Sequence, residues 1–141
     1  MTIKPELATE RLLLRAFRIF DVDDVLAWAN NEEWSRFLTT PFPYRRDDAE
    51  RYIARQLVSD WSMRPTFAIV VCGKAVGSVG VRIDHVSGLA KVDYTLARPY
   101  WGRGLMTDAV DAAMDWVFTT QKVAKIVATA DIENVRSWRV M

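Results

Sequence analysis

The segment with the clearest capacity for chemistry is a glycine-containing turn, 98–105, which has the sequence RPYWGRGL. It lies between an alternating run typical of a strand, 91–96, and an apolar run of helical period from Leu105 to about Phe118. Two glycines one residue apart permit positive φ angles and close approach of a ligand to the main chain. The first amides of a helix lack intrahelical partners and lie at the positive end of its dipole. The pattern predicts an anion site, most often for phosphate, although a tight turn without a ligand has the same spacing.

The composition is typical of an ordinary globular protein and argues against nucleic acid or an anionic membrane as partners. The chain has 141 residues, of which 50% are hydrophobic and 26% charged, so we expect a single domain over 1–141. A net charge of +1 gives no general attraction for nucleic acid or an anionic membrane, so the predicted anion site must be local. The longest apolar runs fall far short of the roughly 18 residues of a membrane span.

Cysteine and histidine are scarce, with Cys72 and His85 the single examples of each. One cysteine cannot form an intrachain disulfide, which favours a cytoplasmic location. The same scarcity argues against a zinc site, so we expect no metal. Cys72 ends the apolar run 67–72, which predicts a thiol buried in a strand rather than a nucleophile.

The N-terminal half predicts one strand and two helices. Alternation over 7–15 indicates the strand. Asp21 is typical of a helix N-cap, and a second helix is expected from about Asp47. Between the helices, Pro41 and Pro43 block regular structure and predict a loop.

The second half predicts an α/β arrangement. Strands are expected over 67–72, 75–83, 91–96 and 123–130, with the helix after the glycine turn preceding the last of them and a final helix from about Asn134. Short turns make the earlier strands antiparallel, whereas the strand–helix–strand unit 89–130 must be parallel. The order therefore predicts a mixed sheet with helices on both faces.

This order, together with three short segments, resembles the GNAT superfamily of acetyl-CoA-dependent N-acetyltransferases, in particular its ribosomal-protein N-terminal acetyltransferase branch. The segments are TERLLLR at 9–15, WGRGLMT at 101–107 after Tyr94, and NVRS at 134–137. The resemblance implies a mostly antiparallel GNAT sheet and direct transfer of an acetyl group from acetyl-CoA to a primary amine, either a protein N-terminus or a small amine. Members of this superfamily continue with further strands, so we expect the sequence to be C-terminally incomplete.

The resemblance also implies which residues bind and react. The main chain of three strand residues would lie along the pantetheine (Tyr94, Thr95, Leu96), and the turn amides would receive the pyrophosphate (Trp101, Gly102, Arg103, Gly104, Leu105, Met106). Arg98 and Arg103 would meet phosphates, Asn134 the pantetheine, and Ser137 the sulfur or a transferred proton. Four aromatic residues would line the acceptor side (Trp34, Phe37, Phe42, Tyr44). Pro99 departs from the superfamily pattern and removes one backbone donor.

A general base is harder to assign. Asp93 is the nearest carboxylate by position, but Lys91 on the same strand face would depress its pKa, which is the wrong direction for a base. Many relatives have Glu at the position of Lys91. Asp93, a water relay or no base at all therefore remain as alternatives.

Two other functions were weighed against the transferase. A GNAT-like module that binds CoA without transfer is favoured by the missing Glu. A dinucleotide-binding protein fits poorly, because the third glycine of its fingerprint would fall at Thr107. The acceptor amine is not readable from the sequence, and exposed strand edges would allow a homodimer.

Overall fold

The computed structural model describes residues 4–31, 33, 43–128 and 140. Its strands are β1 (Leu7–Ala8), β2 (Leu13–Ala16), β3 (Thr66–Val71), β4 (Lys74–Asp84), β5 (Leu89–Leu96) and β6 (Lys125–Val127). Its helices are α1 (Val22–Ala29), α2 (Arg46–Val58) and α3 (Leu105–Thr120). Short 3-10 turns, Ile19–Asp21 and Arg98–Tyr100, precede α1 and the glycine turn.

The strands form a six-stranded sheet in sequence order, β1 to β6. All neighbours are antiparallel except β5 and β6, which are parallel and are connected through α3. The predicted mixed, mostly antiparallel sheet is confirmed. This arrangement brings the glycine turn to the end of β5, between a paired strand and the start of a long helix.

Helices cover both faces of the sheet, as the sequence predicted. Phe67 points to one face, where its ring centroid lies 5.4 Å from that of Trp116 on α3. Ser78 pairs in register with Ala68, the next residue along β3, and so points to the other face. There its side chain lies near the phenol of Tyr52 on α2.

The N-terminal segment differs from the single strand predicted over 7–15. Thr9 divides it, because its hydroxyl accepts hydrogen bonds from the backbone amides of Arg11 and Leu12, at 3.3 and 3.2 Å. Its own amide donates to the carbonyl of Leu12 at 2.9 Å. A threonine side chain that bonds nearby amides competes with strand pairing in this way. Residue 11 therefore lies outside the strands.

Asp21 does precede the first helix, but its carboxylate has another role than the predicted cap. Arg15 donates to both of its oxygens, at 2.8 and 2.9 Å, and the backbone amide of Arg18 donates at 2.7 Å. Both members of the ion pair are buried, and this hydrogen bonding raises the pKa of Arg15. The pair ties the start of α1 to β2.

Two further expectations about burial were wrong. Cys72 is exposed, because β3 ends one residue earlier and Cys72 and Gly73 form the hairpin turn with φ of 50° and 80°. Positive φ at both central residues matches the twist of a two-residue hairpin. Phe118, expected on the apolar side of α3, is 48% exposed. The strand expected over 123–130 is described only as β6, and 129–130 lie outside the described residues.

Candidate active site

The glycine turn has the backbone that the sequence predicted. Gly102 and Gly104 have φ of 76° and 73°. Trp101 has φ of −66° and ψ of 152°, and the residue after it, Gly102, has the positive φ that the second central residue of a type II turn requires. A Cβ placed on Gly102 would meet no atom within 4 Å. The main chain of Gly102 therefore borders open space.

The amides that follow the turn are available to a ligand. The first hydrogen bond of α3 joins the amide of Asp108 to the carbonyl of Gly104 at 3.2 Å. Within the described chain, the amides of Gly104, Leu105 and Met106 donate to no backbone or side-chain acceptor. Helix geometry leaves these N–H groups unpaired, and the helix dipole adds partial positive charge. The turn therefore offers the unpaired donors and the positive helix end that an anion would need.

A residue that sequence reasoning missed contacts the other side of this turn. Arg11 donates from Nη1 to the carbonyl of Arg103 at 2.6 Å and from Nη2 to the carbonyl of Gly104 at 3.1 Å. Its Nε donates to Oδ2 of Asp108, in the first turn of α3, at 2.8 Å. The only signal in the sequence was the position of Arg11 within the family-like segment 9–15.

The side chains at the entrance of the turn contact each other. The indole N–H of Trp101 donates to the carbonyl of Leu96 at 2.7 Å, which fixes the turn against the end of β5. The guanidinium of Arg98 lies 4.8 Å from the centre of the Trp101 ring, and its Nε donates to Glu33 at 2.8 Å. Arg98, predicted to meet a phosphate, would have to share or leave its ion pair with Glu33 to do so.

Arg103, the second arginine predicted to meet phosphate, is exposed and lies over the ring of Tyr100 at 5.5 Å. A cation held over an aromatic face gains electrostatic attraction from the ring. Both arginines of the turn therefore rest on neighbouring aromatic side chains.

The described pairing of β5 with β6 is short. The parallel pairing in the described chain extends only from Leu89 with Lys125 to Lys91 with Val127, whereas β5 pairs with β4 as far as Leu96. The amide of Ala97 donates toward β4, and alternation then directs the amide of Leu96 to the opposite edge. Beyond Lys91, no described strand pairs with this edge of β5.

Asp93 lies on the sheet face that α2 covers. A Cβ on Gly80, its partner in register, would stand only 2.9 Å from Oδ1 of Asp93, so the carboxylate occupies the space that this glycine leaves. The residue is exposed as a whole, yet burial of its carboxyl raises the pKa of Asp93 more than Arg82 and Lys91 lower it. Lys91 does lower the pKa of Asp93, as expected, but the predicted net depression was wrong, because desolvation outweighs the attraction of these exposed cations.

Two tyrosines lie near this carboxylate. Tyr52 is largely buried, and burial raises its pKa to about 12, with smaller contributions from the charge of Asp93 and from Tyr44. Tyr44, predicted to line the acceptor side, is buried in the hydrophobic core, which raises its pKa as well.

The remaining predicted site residues lie outside the described residues: Trp34, Phe37, Phe42, Asn134 and Ser137. Within the described chain, no helix is long and apolar enough to cross a membrane. The same part of the chain brings together no group of three or more His, Cys, Asp or Glu side chains suited to a metal ion.

Comparison with known proteins decides the family. Residues 11–141 match the acetyltransferase (GNAT) domain family. The chain belongs to the GNAT acetyltransferases. It is 30% identical over 142 aligned residues to the uncharacterized N-acetyltransferase p20 of Bacillus licheniformis, covering 96% of this chain and 78% of that protein.

Solved GNAT structures share the fold. A GNAT acetyltransferase from Bacillus anthracis has a TM-score of 0.86 at 19% identity, covering 97% of this chain and 80% of its own. RimL, a ribosomal α-N-protein acetyltransferase solved with coenzyme A, has a TM-score of 0.85 at 18% identity, covering 96% and 80%. The microcin self-immunity acetyltransferase MccE, solved with acetyl-CoA and AMP, has a TM-score of 0.84 at 17% identity, covering 94% and 76%. The GNAT fold and an acetyl-CoA-dependent acyltransferase activity, both predicted from the sequence, are confirmed.

Proposed function

We propose that this GNAT protein transfers the acetyl group of acetyl-CoA to a primary amine, either a protein N-terminus or a small amine. The observation that carries the proposal is that, within the described chain, the backbone N–H groups of Gly104, Leu105 and Met106 donate no hydrogen bond. They follow Gly102, whose main chain borders open space. Hydrogen bonds from several amides at a helix start suit a diphosphate, because they combine direct donors with the helix dipole.

The two parts of coenzyme A fit two parts of the site. The diphosphate would accept hydrogen bonds from the amides that begin α3, and Gly102 would let it approach the main chain without a side chain in the way. The pantetheine, which carries amide groups, would lie along the edge of β5 beyond its described pairing with β6, where the amide of Leu96 points away from β4. The fold of the CoA-bound relatives supports this assignment.

Acetyl-CoA supplies an activated acyl group, so the protein must supply an amine that has lost its proton. An α-ammonium has a pKa of about 8, and a carboxylate with an ordinary pKa of about 4 is a weak base for it. Burial raises the pKa of the Asp93 carboxyl toward that of the amine, while the residue as a whole keeps solvent-exposed surface. We therefore assign Asp93 as the proton acceptor. The new C–N bond forms as the C–S bond breaks, and the extra proton on the attacking nitrogen passes to the leaving thiolate, which departs as the coenzyme thiol.

One feature favours a second candidate, a CoA-binding GNAT protein without transfer. Lys91 lies at the position where many members of the superfamily have Glu, and its side chain is exposed on the same face as Asp93. If no residue accepts the ammonium proton, CoA binds but no amide forms.

The test combines calorimetry with an amine-dependent thiol assay. Because Cys72 is exposed and would react with thiol reagents, the assay uses the Cys72→Ser variant. The acceptors are a peptide with a free N-terminus, the same peptide with a blocked N-terminus, and small mono- and polyamines. We expect acetyl-CoA to bind and thiol release to require a free amine. Binding without release by any acceptor would select the second candidate, and absence of binding would refute the site.

A further inference from the structure

Arg11 contacts the glycine turn on the side opposite to the available amides. Three of its nitrogens donate to the carbonyls of Arg103 and Gly104 and to the carboxylate of Asp108, between 2.6 and 3.1 Å. A Cβ on Gly104 would lie 3.3 Å from Nη2 of Arg11, so this glycine also keeps room for the guanidinium.

Peptide geometry connects these carbonyls to the anion site. In a trans peptide, the C=O of one residue and the N–H of the next point in opposite directions. A carbonyl of Arg103 that points to Arg11 therefore directs the N–H of Gly104 away from Arg11. The carbonyl of Gly104 also points to Arg11, but it accepts the first hydrogen bond of α3 as well, so Arg11 and the helix together fix the N–H of Leu105. Arg11 thus sets the direction of the Gly104 amide and helps to set that of the Leu105 amide.

Asp108 holds Arg11 in this position. Asp108 belongs to the first turn of α3, and its Oδ2 lies 2.8 Å from Nε and 2.6 Å from Nη2 of Arg11. The two side chains are 45% and 36% exposed, and ion pairs this exposed contribute little to stability. The ion pair with Asp108 therefore orients the Arg11 side chain more than it stabilises the fold.

We propose that Arg11 is a positioning residue that orients the amides of Gly104 and Leu105 toward the diphosphate of the coenzyme. The inference rests on the proposed function for the identity of the ligand. It also accounts for the division of the N-terminal strand at Thr9, which frees residue 11 from the sheet and lets its side chain extend to the glycine turn.

The test compares Arg11→Ala and Arg11→Lys with a matched control, Arg46→Ala. Arg46 forms an exposed ion pair with Asp23 at 2.6 Å, away from the turn. Each variant is assayed with acetyl-CoA and with acetyl-pantetheine, which lacks the diphosphate. We expect Arg11→Ala to raise KM for acetyl-CoA about tenfold or more, the effect of losing one to two well-oriented hydrogen bonds, with kcat nearly unchanged.

Kinetics with acetyl-pantetheine should be unchanged in Arg11→Ala. Arg11→Lys should be intermediate with acetyl-CoA, because the single nitrogen of a lysine keeps the charge but cannot reproduce the positions of the three guanidinium nitrogens that donate here. An equal loss with both substrates would show a general structural role and overturn the proposal. An unchanged KM for acetyl-CoA would also overturn it.

A second measurement does not depend on the ligand. In the free protein, the amide resonances of Gly104 and Leu105 should shift or broaden in Arg11→Ala and stay in place in Arg46→Ala. Unperturbed resonances in both variants would refute the role of Arg11. If acetyl-CoA failed to bind the wild type, the proposed function would fall, and these resonances would still decide whether Arg11 orders the turn.

Discussion

Substitution of Gly102 separates the conformational role of this glycine from its role in binding. A matched control exists elsewhere in the chain, since Gly73 has φ of 80° against 76° for Gly102, and a Cβ at either position would meet nothing within 4 Å. The two glycines therefore differ in location but not in backbone strain or space.

The stability effect should be the same at both positions. A left-handed backbone costs a non-glycine residue about 1–2 kcal/mol, and no clash adds to it here. For a chain of this length, about 1 kcal/mol lowers Tm by about 3–5 °C. Gly102→Ala and Gly73→Ala should therefore lower Tm by similar amounts, as measured by differential scanning calorimetry.

The binding effect should appear at Gly102 alone. In Gly102→Glu, the new carboxylate would stand about 5 Å from one phosphate charge. With an effective dielectric constant between that of bulk water and that of a protein surface, the repulsion is about 1–3 kcal/mol, which weakens binding about five- to 150-fold. Titration calorimetry with CoA should show this loss for Gly102→Glu and a smaller loss for the uncharged Gly102→Gln. Wild-type affinity in Gly102→Glu, or an equal loss in Gly73→Glu, would refute the anion site.

Three further predictions concern the buried polar groups. Because burial raises the pKa of Asp93, its carboxyl contributes stability at low pH, and this stability is lost as pH rises through the folded pKa. Asp93→Asn should therefore be more stable than wild type in urea denaturation at neutral pH. Its kcat should fall and should no longer depend on the titration of this carboxyl. Asp21→Asn should cost about 3–5 kcal/mol, because it leaves Arg15 buried without its counter-charge, whereas Arg46→Ala at an exposed pair should leave stability nearly unchanged by the same assay. Because burial raises the pKa of Tyr52 to about 12, wild-type alkaline absorbance should show one tyrosine that ionises only near pH 12, and Tyr52→Phe should remove this titration.

Much of the fold was predictable because local patterns and topology agree. Alternation and short turns gave the antiparallel order of β3, β4 and β5, and the glycine spacing gave the positive φ angles at Gly102 and Gly104. The parallel partner of β5 followed from the intervening helix. These features depend on neighbours along the chain, which sequence periodicity records.

The features that sequence reasoning missed depend on contacts between distant residues. Arg11 and Asp108 are far apart in sequence, and nothing in either local pattern indicates that they meet. The direction of the pKa shift at Asp93 depends on how much protein surrounds its carboxyl, which the nearby charge of Lys91 could not reveal. Thr9 interrupted a well-formed alternation through its hydroxyl, an effect that periodicity ignores.

The most direct test of the anion site is a titration of the isotopically labelled protein with CoA, followed through its backbone amide resonances. The account predicts saturable shifts at Gly104, Leu105 and Met106, with the same three resonances unmoved by pantetheine, which lacks the diphosphate. Binding of CoA that leaves these amides unmoved would contradict it.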